Sequence, residues 1–488
     1  MKLSRTAPFR WRFAAPLVLA VIGFAAASLG CGDETVAPNT EALAAVISAF
    51  GLEPLPLPEY PQYNRRVPER IQLGWLLFFD PILGGESAPW VKSSAGLEPY
   101  RYRGSDVACA TCHHPRFGFG DGRTLAAGAG TGLDLIPSLG PERRDGGESI
   151  VTSAPIPLVA RNSLTVLNAA LNGNESAVPK NESLQFIDGR VTLGLEVQAL
   201  FPLTVRAEMA GDAYGRDVLG DRLTSDAIRD SITARIRAIP GYLDRFRRAY
   251  PDEITEPGDI RLTHITKAIA AYERELTTPG SRYDRFVAGE FTLFTEQERS
   301  GFTLFFGKAG CGGCHFGPML SDYSFHVQGV PDVYPPGFEG KDGAGHDFGR
   351  YHADPMEHAH DKYAFRTLTI RNVELSAPFF HSGSASTLRD VVEFYDSGGQ
   401  RPEDISDATL AAAGAVRSPL IQPLGLSAHE IAAVIAFLRT TTGRVAPGPG
   451  GVDLTRPPDR VPSGLVPPGA ATPEGRGPFL PLDSTVGP

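Results

Sequence analysis

The sequence predicts an all-α protein of at least two domains, and three observations predict it. The chain has 488 residues, too many for a single hydrophobic core. Its best-marked segments repeat apolar residues at helical spacing behind capping sequences, and no run of alternating strand pattern appears. Four of its five cysteines form two copies of Cys-x-x-Cys-His, one in each half.

Taken in order, Lys2, Arg5, Arg10 and Arg12 precede an apolar run from Phe13 to Leu29. That run is short for a bilayer span and suits an export signal over residues 1–30. It closes in "SLGCGD", which resembles a bacterial lipoprotein site at Cys31, although Leu29 stands one place closer to the cysteine than the usual pattern has it. Residues 31–45 read as a tether. "PERIQLGWLLFFD" reads as a helix with Pro68 in its first turn and Leu73, Leu76 and Leu77 on one side. Pro81 to Tyr102 and Arg123 to Leu158 read as long loops. Ile265, Ala268, Ile269, Tyr272 and Leu276 share a helical face. "TEQE" at 295–298 is a capping box whose helix leads into the second cysteine pair, and "SAHE" at 427–430 is another. Between them Thr387 is the expected N-cap of "LRDVVEFY". A domain break near 278–294 divides residues 46–285 from 286–445, and the Pro/Gly-rich tail 446–488 reads as unstructured.

Hydrophobic content of 42% and charged content of 21% are ordinary for a soluble globular protein. The 54 glycines and 42 prolines argue for many loops. A net charge of -10 without a basic cluster excludes nucleic acid as the expected partner.

Cys109-Ala110-Thr111-Cys112-His113 and Cys311-Gly312-Gly313-Cys314-His315 have the spacing of c-type haem attachment. Two thiols add across the two vinyl groups of a haem, and the adjacent imidazole falls under the iron as proximal ligand. A redox disulfide would not need the histidine each time. A zinc site would have to join pairs far apart in the chain, unlike compact structural zinc motifs. Two covalent haem c groups are therefore the expected cofactors.

The ordered set "LGWLLFFDP", "CATCHHPRFGFGDGR", "ARNSLTVLNAAL", "FIDGR", "AIAAYERELTTPGSRYDRF", "GFTLFFGKAGCGGCHFGPMLSD", "FRTLTIRNVELSAPFFHSGSASTLRDVVEFY" and "IAAVIAFLRTTTG" resembles the bacterial di-haem cytochrome c peroxidases over most of residues 65–442. That family includes the methylamine-utilisation di-haem enzyme. The resemblance implies two all-α, cytochrome-c-like domains facing each other across a cleft. It also implies a sixth ligand for the second haem, on the helix after Pro378-Phe379-Phe380-His381. That position is Tyr395, where many relatives have Met, and Tyr makes the chain look like the methylamine-utilisation branch. Tyr395 shares a helical face with Leu388, Val391 and Val392, which on its own also fits a core tyrosine. Met356, His352, His358 and His360 are the rival ligands.

Around the first haem, relatives that need reductive activation carry a loop histidine, and none stands between His114 and Arg161 here. His114 itself adjoins the proximal ligand, so the first iron is expected to be open. The resemblance places the distal glutamate at Glu208, with Gln198 as its helper. A carboxyl in a haem pocket is expected to have a raised pKa, as a proton shuttle requires. The resemblance also implies a Ca²⁺ held by Asn162 and the carbonyls of Ser376 and Pro378, a hard-oxygen set suited to that ion. Where many relatives have an inter-haem Trp, this chain has Ile187, which cannot be oxidised in an electron hop.

The expected function is a periplasmic, lipid-tethered peroxidase that reduces H2O2 with electrons from a small cytochrome c or a cupredoxin. Two alternatives stay open. One is an oxidase of the methylamine-utilisation kind, using high-valent iron to modify a protein side chain or small substrate. The other is a di-haem electron carrier without peroxide chemistry.

Overall fold

The computed structural model describes residues 40–85, 107–122, 161–172, 194–211, 224–333, 346–352 and 360–465, with a few short pieces between them. Two large hydrophobic cores organise these residues, each built on one close helix crossing, beside a smaller cluster of Tyr363, Ile405, Leu410 and Ala415. In the first, helix Pro68–Phe79 crosses helix Leu262–Glu275. In the second, helix Glu296–Phe306 crosses helix Ala428–Arg439. Both crossings depend on a glycine. A Cβ on Gly74 would lie 1.8 Å from the Ala268 carbonyl oxygen, and one on Gly301 would lie 1.9 Å from that of Ala433. No side chain fits at either point, so the helix backbones themselves touch.

The capping boxes form as the sequence predicts. Thr295 Oγ1 accepts from the Glu298 N–H, and the Glu298 carboxylate accepts from the Thr295 N–H at 2.7 Å. Ser427 and Glu430 repeat the exchange. Each box satisfies two backbone donors that a helix start leaves open.

The two halves share more than the cysteine motif. Gly74, Leu77, Phe78 and Phe79 have the spacing of Gly301, Leu304, Phe305 and Phe306. Leu164, Thr165 and Asn168 have the spacing of Leu368, Thr369 and Asn372. Thr165 Oγ1 donates to the Gly118 carbonyl at 2.5 Å and Thr369 Oγ1 to that of Met319 at 2.6 Å. Both asparagines have left-handed backbones, and both donate at 2.9 Å to the hydroxyl of Thr278, which ties the halves together.

Several boundaries differ from the sequence expectation. Residues 40–45 are not tether: Thr40–Ala49 is a helix whose Leu43 joins the second core, and the Phe50 ring beyond it packs tilted against Phe306, 4.9 Å between centroids. Tyr283, Phe286 and Val287 belong to the second core while Leu276 belongs to the first, so the change of core falls at the early end of the expected 278–294 stretch. The tail is ordered as far as residue 465 and returns to the first core. Leu454 is buried there, Tyr272 donates to its carbonyl at 2.9 Å, Trp75 donates to the Arg456 carbonyl, and Ser463 donates to the buried Asp80 at 2.6 Å. Apolar side chains that the motif pattern does not use decide these placements.

The fold is helix-rich, and the described residues include three two-stranded antiparallel sheets: Trp90–Ser93 with Gly96–Pro99, Gln185–Ile187 with Arg190–Thr192, and Phe325–Val327 with Ala364–Arg366. The first lies within the segment read as loop from Pro81 to Tyr102. Residues 1–39, including Cys31, the loop from Arg123 to Leu158, and residues 469–488 lie outside the described residues.

Candidate functional site

Each Cys-x-x-Cys-His motif sits on a short helical turn directly below its crossing. Cys109–Cys112 is one helical turn and His113 is its C-cap. Cys311–Gly313 is a 3₁₀ turn running into Cys314 and His315. Equivalent phenylalanines lie beside the two imidazoles, with Phe78 6.5 Å from His113 and Phe305 6.2 Å from His315 between ring centroids.

The tautomer of each histidine is set by a backbone carbonyl. His113 Nδ1 lies 2.8 Å from the Leu164 oxygen and 3.3 Å from that of Phe119. His315 Nδ1 lies 2.9 Å from the Leu320 oxygen. A carbonyl can only accept, so Nδ1 carries the proton and Nε2 keeps its lone pair for a metal. Burial lowers the pKa of both rings, which keeps them neutral as iron ligation requires. Phe119 and Leu320, which present two of these carbonyls, both have left-handed backbones, at φ 59° and 50°. No sequence signal marks Leu164, Phe119 or Leu320, because their contribution is a main-chain oxygen.

All four motif cysteines are free thiols, not disulfides. Burial pushes Cys109 and Cys311 up to about 12 and Cys314 up to about 11, so they are neutral thiols at physiological pH. The pairs do not converge into one tetrathiolate. Among the described residues, the one cluster of three potential metal ligands is Cys314 with Asp322 and His326.

Cys311, Cys314 and His315 open into a cavity of ≈ 590 Å³. Its wall includes Leu388, Val391, Val392 and Tyr395, four positions on one face of helix Leu388–Asp396. Such a volume suits a cofactor, for which pockets run roughly 300–1,000 Å³. Thiols, a lone-pair-bearing imidazole and an apolar wall fit a covalently held haem. Tyr395 thus faces the same cavity as His315. Burial raises its phenol pKa, the nearby Cys311 and Cys314 add to that, and a hydrogen bond to Gln328 opposes it. Of the rivals, His360 is exposed; Met356, His358 and the His352 side chain lie outside the described residues.

On the first side, Glu208 lies half-buried in the π-helical turn Arg206–Ala210. Its charge and that of Asp121 reach Cys112 and raise the thiol pKa beyond what burial does. Gln198 ends the short helix Leu195–Gln198, and its buried Oε1 has no hydrogen-bond partner among the described residues. That helix is anchored by Glu196, which is fully buried against Arg274 at 2.9 Å. His114 is buried; its Nδ1 accepts from the Arg116 N–H, which holds the ring beside its own turn. The Ile187 backbone lies in a hairpin strand, and its side chain is outside the described residues.

Asn162, Ser376 and Pro378 share the cavity wall. The Asn162 amide nitrogen donates to the Pro378 carbonyl at 2.8 Å, while its Oδ1 is buried without a partner. An unpaired amide oxygen is a hard donor that fits such a cation, but here the amide nitrogen faces the Pro378 carbonyl, so shared ligation would need the amide turned over.

Comparisons with known proteins identify what the chain is similar to. The family model "Di-haem cytochrome c peroxidase" matches residues 68–292. Methylamine utilization protein MauG of Methylorubrum extorquens is 29% identical over 411 residues, covering 84% of this chain and 88% of the relative. Cytochrome c551 peroxidase of Nitrosomonas europaea is 28% identical over 373 residues, covering 76% and 79%. The crystal structure of a MauG-like protein associated with microbial copper homeostasis aligns with a TM-score of 0.54 at 27% identity, over 83% of this chain and 95% of that one. The ordered motifs, the paired attachment sites and these relatives agree: residues 68–292 match the di-haem cytochrome c peroxidase model, and the chain is similar to members of that family over about four-fifths of its length.

Proposed function

We propose that this protein is a periplasmic peroxidase that reduces H2O2 at the His113 haem. A small cytochrome c or a cupredoxin would supply the electrons, and His315 and Tyr395 would hold the haem of the second half that serves as their entry point. The observation that carries this reading is the asymmetry of the faces opposite the two proximal histidines. The Tyr395 phenol lines the cavity into which His315 opens, while the Glu208 carboxylate lies close enough to Cys112 for its charge to act on that thiol.

Bound haem supplies the redox chemistry for splitting the O–O bond. The protein supplies proton movement and placement. Reduction of H2O2 to two waters consumes two electrons and two protons, and one peroxide oxygen must lose a proton that the other gains. Glu208 is the group assigned to carry it, and the free Gln198 Oε1 orients the hydroxyl that Glu208 serves. The Asn162 Oδ1 with the Ser376 and Pro378 carbonyls is the assigned Ca²⁺ site. Export and a lipid anchor at Cys31 place the chain outside the cytoplasm, and among the described residues no helix is long and apolar enough to cross a membrane.

Tyr395 favours a second reading, an oxidase that modifies a protein side chain or a small substrate. A phenolate is a hard anionic donor that stabilises the more oxidised iron states, so the second haem is a better store of oxidising equivalents than a His/Met haem. Rapid mixing of the fully oxidised protein with H2O2 tests the open first site: a spectral reaction without prior reduction is expected. Reaction only after one-electron reduction would show that a ligand blocks that iron. Steady turnover with a reduced cytochrome supports the peroxidase, whereas oxidation of a partner protein without such turnover supports the oxidase. Neither activity would leave an electron carrier.

A further inference from the structure

Tyr323 belongs to the loop of the second site and touches the segment that builds the first. Its hydroxyl donates to the Leu171 carbonyl at 2.8 Å. Arg366 Nη2 donates to the next carbonyl, Asn172, at 2.7 Å, and its guanidinium lies 4.8 Å over the Tyr323 ring. Two side chains from the second half thus grip consecutive carbonyls of the first. The chain bears strain to do this. Tyr323 has a left-handed backbone at φ 54°, costly for a residue of this size.

Both ends of this grip lead to a proximal histidine. On one side, Leu320 supplies the carbonyl that orients His315, and Asp322 donates to the Cys314 carbonyl at 2.8 Å. Ser321 pins the same loop to the Thr367 carbonyl, beside Arg366. On the other side, the segment gripped at Leu171 and Asn172 begins with Leu164, whose carbonyl orients His113. Asn168 fixes its middle to Thr278. A continuous run of hydrogen bonds and short main-chain segments therefore joins His315 Nδ1 to His113 Nδ1.

We propose that Tyr323 and Arg366 are positioning residues that couple the two proximal histidines, so that a change in hydrogen bonding at one iron alters the other. The proton on Nδ1 sets how strongly the imidazole donates to iron, and the carbonyl accepting that proton tunes it. Moving Leu171 and Asn172 shifts Leu164 and with it the His113 bond. This inference rests on the two-haem reading. It also supplies a link between the sites that does not require an oxidisable side chain at Ile187.

The test uses the matured protein with both haems attached, holding one electron, and reads its distribution between the two irons spectroscopically. The iron–histidine vibration of the first haem is read alongside. Tyr323→Phe keeps the ring and removes only the donor. Loss of one such hydrogen bond should change the electron distribution by about 2- to 10-fold and move the first-haem vibration, although Tyr323 lies in the loop of the second. Arg366→Gln gives an independent reading from the other half of the grip. If both variants carry two haems with wild-type distribution and vibration, the contact merely holds the domains together and the proposal is wrong. A protein that attaches fewer than two haems would instead overturn the functional reading beneath it.

Discussion

The two haem-binding halves use the same scaffold and differ in what they place across from it. In each, a glycine lets two helices touch, a phenylalanine four residues along packs beside the proximal imidazole, and a carbonyl fixes its Nδ1 proton. The carbonyls come from different distances. His315 is oriented by Leu320, five residues away, within its own loop. His113 is oriented mainly by Leu164, 51 residues away, on the segment that the second half grips. The His315 imidazole is thus oriented from within its own loop, while that of His113 depends on a segment brought from elsewhere, although both sites draw their facing residues from distant parts of the chain.

The largest effect that tests this contrast is loss of a haem. Cys109→Ala with Cys112→Ala, or Cys311→Ala with Cys314→Ala, should each leave one haem after acid–organic extraction. Only the second double variant should keep direct binding of H2O2 to the oxidised protein. If the first keeps it, the roles of the two halves are reversed.

Next comes Glu208→Gln. General acid–base catalysis contributes roughly 10²–10⁴-fold, and the turnover rate should fall on that scale with both haem spectra intact. Full turnover by this variant would remove Glu208 from the mechanism.

Tyr395→Met should raise the reduction potential of the second haem and leave that of the first nearly unchanged, because a thioether favours Fe(II) relative to a phenolate. Spectroelectrochemical titration reads both. An unchanged second potential and low-spin signal would make Tyr395 a wall residue rather than a ligand.

Smaller effects probe the scaffold that the halves share. Gly74→Ala and Gly301→Ala each force a methyl into a carbonyl at under 2 Å, so each should destabilise its own half by about 1–3 kcal/mol in denaturant unfolding. A neutral result for one alone would show that the crossings are not equivalent. Thr387→Ala removes the N-cap of the helix that carries Tyr395 and should cost about 1 kcal/mol. Calorimetry of the second half should show it while the first transition stays put.

The sequence by itself determined the attachment chemistry, the helical character and the number of haem sites. Cys-x-x-Cys-His is contiguous, and a capping box needs only four residues, so local spacing carries the whole signal. The inward face of Tyr395 was legible for the same reason, since Leu388, Val391 and Val392 repeat at helical spacing. Tertiary structure alone decided which core each end of the chain joins. Leu43 packs on the second half and Leu454 on the first, because burial depends on which apolar surface lies nearby and not on which stretch of chain is adjacent. It also decided which oxygens orient the two histidines. A main-chain carbonyl is the same atom in every residue, so nothing in the letters Leu164, Leu320, Leu171 or Asn172 distinguishes those that hold the two sites in register from those that do not.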